Sequence, residues 1–110
     1  MPACHSGLHS VKRKKNLLSA ELTVMRKRID KGQLGTTELA AAQSAEALVR
    51  KEVRSLHLAD NYMRGRPYGR VEDVRNLGYP PDWDRIHHIV TQHGGSVVQM
   101  PPLNEWSMTN

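Results

Sequence analysis

Apolar side chains recur at helical spacing along the first third of the chain, at steps of four and three residues: Leu18, Leu22, Met25 and Ile29. Such steps place side chains on one stripe of an α-helix. The helical pattern begins at Val11, and we expect residues 1–10 to form a flexible, irregular lead-in. Lys31 in the last turn and Gly32 just beyond it predict where this helix ends.

A second, longer helix is predicted from about Thr36 onwards, because residues 39–63 contain neither glycine nor proline. Glu38 would lie in its first turn, where a carboxylate complements the positive end of the helix dipole. Gly65 predicts where this second helix ends. Apolar positions repeat every seventh residue along this helix: Ala42, Val49, Leu56 and Met63.

Two helices joined by a short connection normally fold back on each other. The pattern therefore predicts an all-α fold whose main unit is a long antiparallel helical hairpin over residues 11–66. Residues 67–95 are predicted to contain an arginine-rich loop and a small helical appendage of one or two short helices. Residues 96–110 are predicted to form an extended C-terminal tail, with a short strand at 96–100 as an alternative.

The appendage has its own helix signals. Residues 71–77 could form a first short helix that Gly78 ends. Asp82 is a good N-cap residue for a second helix that runs to His93. The apolar face of this second helix would consist of Trp83, Ile86, Ile89 and Val90.

Composition narrows the class of protein. The 110-residue chain carries a net charge of +5 and a single cysteine, Cys4. One cysteine cannot form an intramolecular disulfide, which favours a reducing, intracellular compartment. We expect a cytoplasmic protein, with mitochondrial and nuclear locations as alternatives. The sequence contains no apolar run near the roughly 20 residues that a membrane-spanning helix needs, so no membrane partner is expected.

The positive charge is concentrated in two short stretches, residues 12–15 and residues 64–70, with Arg75 close behind the second. A hairpin would bring both stretches to the same end of the molecule. Arginine forks bind phosphates, tyrosine rings stack on bases, and clustered lysines attract a nucleic-acid backbone. We therefore predict a small, non-enzymatic nucleic-acid-associated protein, with RNA preferred over DNA. The predicted contact residues are Lys12, Arg13, Lys14, Lys15, Arg64, Arg66, Tyr68, Arg70 and Arg75.

An alternative from a different class stays open. The hairpin could be a protein-binding module that regulates or inhibits a larger macromolecular partner, or that forms an oligomer. Its apolar stripe and a lone aromatic in the tail would then make the contact: Val49, Val53, Leu56 and Trp106. Salt sensitivity separates the two hypotheses, because phosphate binding weakens steeply as salt rises.

No motif in the sequence supports catalysis or a cofactor. Histidines occur near both ends of the chain, and Cys4 lies close to those at the N-terminal end. Neither group has the closely spaced pairs of ligands that form a structural zinc site. Asp82 and Asp84 at a helix start are explained as capping residues. We therefore predict neither enzymatic activity nor a bound metal or cofactor.

Overall fold

The computed structural model describes residues 3–64 and 81–93. These residues form three α-helices: α1 (Ala3–Asp30), α2 (Thr36–Met63) and α3 (Trp83–Gln92). Helix α2 packs against both α1 and α3. The all-α fold predicted from the sequence is confirmed, with a long helix pair followed by a short helix.

The hairpin turn lies where the sequence predicts it. Helix α1 ends at Asp30, and Gly32 then adopts a positive φ of 68°, a conformation that only glycine reaches without strain. Helix α2 starts at Thr36, with the extended Gly35 as its N-cap. The predicted α1 stripe faces α2 and is half-buried: Leu18, Leu22, Met25 and Ile29.

Among the residues that the structure describes, the buried hydrophobic core lies where all three helices meet. Leu56 is 1% exposed and Val11 is completely buried. Ile86, Ile89 and Val90 of α3 complete this cluster with Leu58 and Ala59 of α2, while Trp83 packs at its edge. The third helix therefore turns one end of a two-helix hairpin into a closed hydrophobic core, because it adds a third apolar face to the two that α1 and α2 bring together.

Polar contacts fix the position of α3 on α2. The Asp82 carboxylate accepts a hydrogen bond from the backbone N–H of Arg85 at 3.1 Å, which confirms Asp82 as the N-cap. The Arg85 guanidinium donates two hydrogen bonds to Glu52, from Nε at 3.0 Å and from Nη2 at 2.6 Å. The bonds to Glu52 raise the pKa of Arg85 above its ordinary value. This bidentate pair sets where α3 begins along α2.

The start of α1 differs from the sequence prediction. The prediction that residues 1–10 are irregular is wrong for residues 3–10, because α1 begins at Ala3. The first turns of α1 contact the end of α3, so closely that a Cβ built on Gly7 would overlap the carbonyl oxygen of His93. Lys14 also lies close enough to His93 that its charge, after the larger effect of burial, lowers the pKa of that imidazole. The additional turns at the start of α1, which the sequence pattern did not predict, are thus in contact with the end of α3.

We predict that Gly7→Ala destabilises the fold by about 1 kcal/mol, because the added methyl group overlaps the His93 carbonyl and forces the two helices apart. The reference for this change is the gain of about 1 kcal/mol that alanine has over glycine inside a helix when nothing obstructs its Cβ. Urea unfolding followed by circular dichroism compares Gly7→Ala with the parent protein. A gain of that size for Gly7→Ala would mean that α1 and α3 do not approach this closely.

Several predicted features lie outside the described residues: the short helix at 71–77, the strand at 96–100 and the extended tail. Within the residues that the structure describes, no helix is both long enough and apolar enough to cross a membrane.

Candidate functional site

One face of the hairpin carries an open groove of about 440 Å³ along the seam between α1 and α2. Its floor is apolar, formed by Leu22 from α1 and Val53 from α2. Its walls are polar and mostly cationic, with side chains from both helices: Lys15, Ser19 and Arg26 on one side, and Arg50, Arg54 and His57 on the other. The groove therefore combines positive charge with an apolar surface.

Helical spacing explains why these residues share a face. The α1 wall follows steps of four, three and four residues through Leu22, and the α2 wall follows similar steps through Val53. Arg54 lies two residues beyond Glu52, which is about 200° around the helix. Because Glu52 binds Arg85 of α3, the groove lies on the side of α2 opposite α3. The third helix thus leaves the groove uncovered.

A buried carboxylate, Glu46, ties the two walls together at one end. Arg26 of α1 donates a hydrogen bond to Glu46 Oε2 at 3.1 Å. Arg50, one turn along α2, binds both oxygens of the same carboxylate. Hydrogen bonds from Arg50, with the charges of Arg50 and Arg26, hold the pKa of Glu46 below its ordinary value despite burial. Glu46 is therefore ionised at neutral pH and accepts both guanidinium groups.

A second buried carboxylate, Asp60, joins α1 to α2 at the other end of the groove. Lys15 Nζ lies 3.5 Å from Asp60 Oδ2, and Arg64 Nε lies 3.1 Å from Asp60 Oδ1. Lys15 belongs to the first basic stretch and Arg64 to the second. For these two residues, the structure confirms that the hairpin brings both stretches to one end.

The net charge of the groove is positive. Four cationic side chains line it, and Glu46 and Asp60 pair with three of them. Arg54 is exposed and makes no ion pair with any residue in the ranges 3–64 and 81–93. The arrangement leaves two positive charges in excess, and Arg54 is the group best placed to meet an external anion.

The other predicted contact residues are distributed around this site. Lys12, Arg13 and Lys14 are exposed on α1. They point in different directions because successive helical residues are about 100° apart. The remaining predicted nucleic-acid contacts lie outside the described residues: Arg66, Tyr68, Arg70 and Arg75.

The predicted partner-binding residues divide in a similar way. Val49 and Val53 are half-buried on the α1-facing side of α2, and Val53 forms part of the groove floor. Leu56 packs inside the chain's own core, so its substitution tests folding rather than docking. Trp106 lies outside the described residues.

Sequence reasoning missed most of the groove. Ser19, Arg26, Arg50, Arg54 and His57 were not predicted as contact residues, because they form no run of charge along the sequence. Their signal is periodic: Arg50, Arg54 and His57 recur at helical steps, as do the polar residues of the α1 wall. The two rows, one on α1 and one on α2, form a single surface only when the two helices pack as a hairpin. The groove can therefore be identified only from the packed structure.

Within the described part of the chain, no group of three or more His, Cys, Asp or Glu side chains is arranged to hold a metal ion. Comparison with protein-family models, with curated proteins and with solved structures finds no match to this chain. The functional argument therefore depends on the geometry and charge of the groove.

Proposed function

We propose that this protein binds the phosphate backbone of nucleic acid through the cationic groove between α1 and α2. The observation that carries the proposal is the convergence of four cationic side chains from two helices on one concave surface, with Arg54 unpaired among the described residues. Guanidinium groups bind phosphates through short, charge-assisted hydrogen bonds. Lys12, Arg13 and Lys14 are exposed on α1 in different directions and add attraction that does not depend on base sequence.

The proposed role is binding rather than catalysis. The groove offers cations and hydroxyl or imidazole hydrogen-bonding groups, which suit the binding of an anionic backbone. The protein would act as a component of a ribonucleoprotein assembly or as an accessory factor on RNA or DNA. RNA stays the preferred partner because no described helix has the arrangement of a groove-reading motif.

A second candidate function follows from the apolar floor. Leu22 and Val53 would accept the apolar stripe of an amphipathic helix whose flanking acidic residues pair with the arginines. In that case the protein would be a regulator that docks on a larger protein. The backbone-binding proposal is favoured because six of the eight lining residues are cationic or polar.

We predict that Arg54→Ala weakens nucleic-acid binding about tenfold at 100 mM salt, because one charge-assisted phosphate contact is lost. The matched control is Arg28→Ala: Arg28 is also exposed, helical and without a described ion pair, but it lies outside the groove. Binding of a labelled pool of RNA and DNA fragments, followed by fluorescence anisotropy, compares the two variants.

Equal affinities of Arg54→Ala and Arg28→Ala would contradict a role for the groove. An affinity capture from lysate, with and without nuclease, separates the two functions. Companions that vanish with nuclease support backbone binding. Companions that remain after nuclease, and that Arg54→Ala releases, favour the acidic-helix function.

A further inference from the structure

Among the described residues that line the groove, His57 is the one whose residue type changes charge near neutral pH. It lies half-buried on α2, three residues beyond Arg54. Residues three apart on a helix share a face, so the imidazole and the Arg54 guanidinium belong to the same wall of the groove. The cations of the lining are lysine and arginine, which stay charged throughout the physiological range. The charge of the groove therefore has a constant part and a part that depends on pH.

A buried amide holds the imidazole in place. Asn61 is 8% exposed, and its Nδ2 lies 3.3 Å from Nε2 of His57, which is one helical turn away. An asparagine amide can serve either form of the ring, because its N–H donates to a neutral ring nitrogen and its oxygen accepts from a protonated one. The contact with Asn61 therefore positions the imidazole without fixing its charge.

Within the described chain, the charged groups around His57 come from α1 and α2, because α3 packs on the opposite side of α2. Cations outnumber carboxylates among the charged residues that line or border the groove: Lys15, Arg26, Arg50, Arg54 and Arg64 against Glu46 and Asp60. Each carboxylate already accepts two cations. A phosphate that enters the groove supplies further negative charge, and a negative charge close to an imidazole favours the protonated form.

We propose that His57 is a pH-dependent contact for the phosphate backbone, so that nucleic acid binds more tightly as the pH falls from about 8 to about 5.5, an inference that rests on the proposed function. In the complex, the imidazolium donates a charge-assisted hydrogen bond to a phosphate oxygen beside Arg54. The complex then holds more protons than the free protein. By linkage, the affinity rises as the proton concentration rises.

The test measures how the full-length protein binds one single-stranded RNA oligonucleotide at several pH values. The oligonucleotide has unphosphorylated ends, because a terminal phosphate itself titrates near about pH 6. Fluorescence anisotropy with a dye that is insensitive to pH gives the affinity. We expect binding to be about tenfold tighter at about pH 5.5 than at about pH 8, the effect of one charge-assisted contact. The slope of log affinity against log salt should become steeper by about 0.7 at the lower pH.

Two substitutions at position 57 separate the charge of the imidazole from its structural role. His57→Gln keeps a hydrogen-bonding group for Asn61 but stays neutral, so it should bind like the parent protein at about pH 8 and tighten little at about pH 5.5. His57→Arg is charged at both pH values and should bind at each of them as tightly as the parent protein does at the lower pH. His88→Gln is the matched control and should keep the parent's pH dependence, because His88 is exposed on α3, away from the groove.

The outcomes separate this inference from the proposed function. Loss of the pH dependence in His57→Gln, but not in His88→Gln, supports the inference. An affinity that does not change with pH, or that rises equally in the parent protein and in His57→Gln, would overturn the inference while leaving backbone binding in place. Absence of binding at every pH would overturn both. Far-UV circular dichroism at each pH confirms that the parent protein and the variants keep their helices.

Discussion

Leu56→Ala should lower the free energy of unfolding by about 2–5 kcal/mol, the largest stability effect we expect from a single truncation in this chain. Leu56 is 1% exposed and lies in the core cluster with Ile86, Ile89 and Val11. Truncation to alanine removes buried apolar surface and leaves a cavity that the surrounding helices fill only in part. A domain of this size typically has about 5–15 kcal/mol of stability, so the loss is a large fraction of the total.

The chain provides a matched control for this change. Leu48 lies on the same helix but is 70% exposed. Leu48→Ala makes the identical chemical change at a position that buries little surface, and we expect an effect within about 0.5 kcal/mol. Urea unfolding followed by far-UV circular dichroism gives both values. Similar losses for Leu48→Ala and Leu56→Ala would show that α3 does not cover α2 at Leu56.

The second large effect concerns binding and rests on the proposed function. Glu46→Gln should tighten nucleic-acid binding about tenfold, because it removes a negative charge that competes with phosphate for Arg26 and Arg50. The amide that replaces the carboxylate keeps the shape of the side chain, and its oxygen still accepts a hydrogen bond, so the groove should be preserved. The slope of log affinity against log salt should become steeper, since more cationic charge is available for phosphates.

Glu38→Gln is the control for this experiment, because Glu38 is exposed in the first turn of α2 and lies outside the groove. Fluorescence anisotropy at several salt concentrations measures both variants, and thermal unfolding shows whether either one loses structure. If Glu46→Gln binds no more tightly than Glu38→Gln, phosphates do not reach the Arg26 and Arg50 end of the groove.

These two positions show how structural and functional roles are divided along α2. The side that includes Leu56 supports the fold by packing against α3. The opposite side presents Arg50, Arg54 and His57 to solvent. Glu46 lies at the boundary, where it both holds α1 to α2 and limits how much positive charge the groove exposes.

The sequence by itself determined the local structure. The end of α1 shortly before Gly32, the start of α2 at Thr36 and the Asp82 cap of α3 were all predicted. These features depend on interactions within a few residues: backbone hydrogen bonds four residues apart, capping side chains and the conformational freedom of glycine. Because such interactions are local, periodicity and residue type are sufficient to predict them.

Tertiary structure alone decided which residues are buried and which form a surface. Val49 and Leu56 occupy equivalent positions in one seven-residue pattern, yet only Leu56 is fully buried, because α3 covers that part of α2. Helix α1 extends to Ala3 where it contacts the end of α3. The cationic groove combines Arg26 with Arg50 and Lys15 with Arg54, residues far apart in sequence. Their proximity depends on how two helices pack, and no pattern within either helix contains that information.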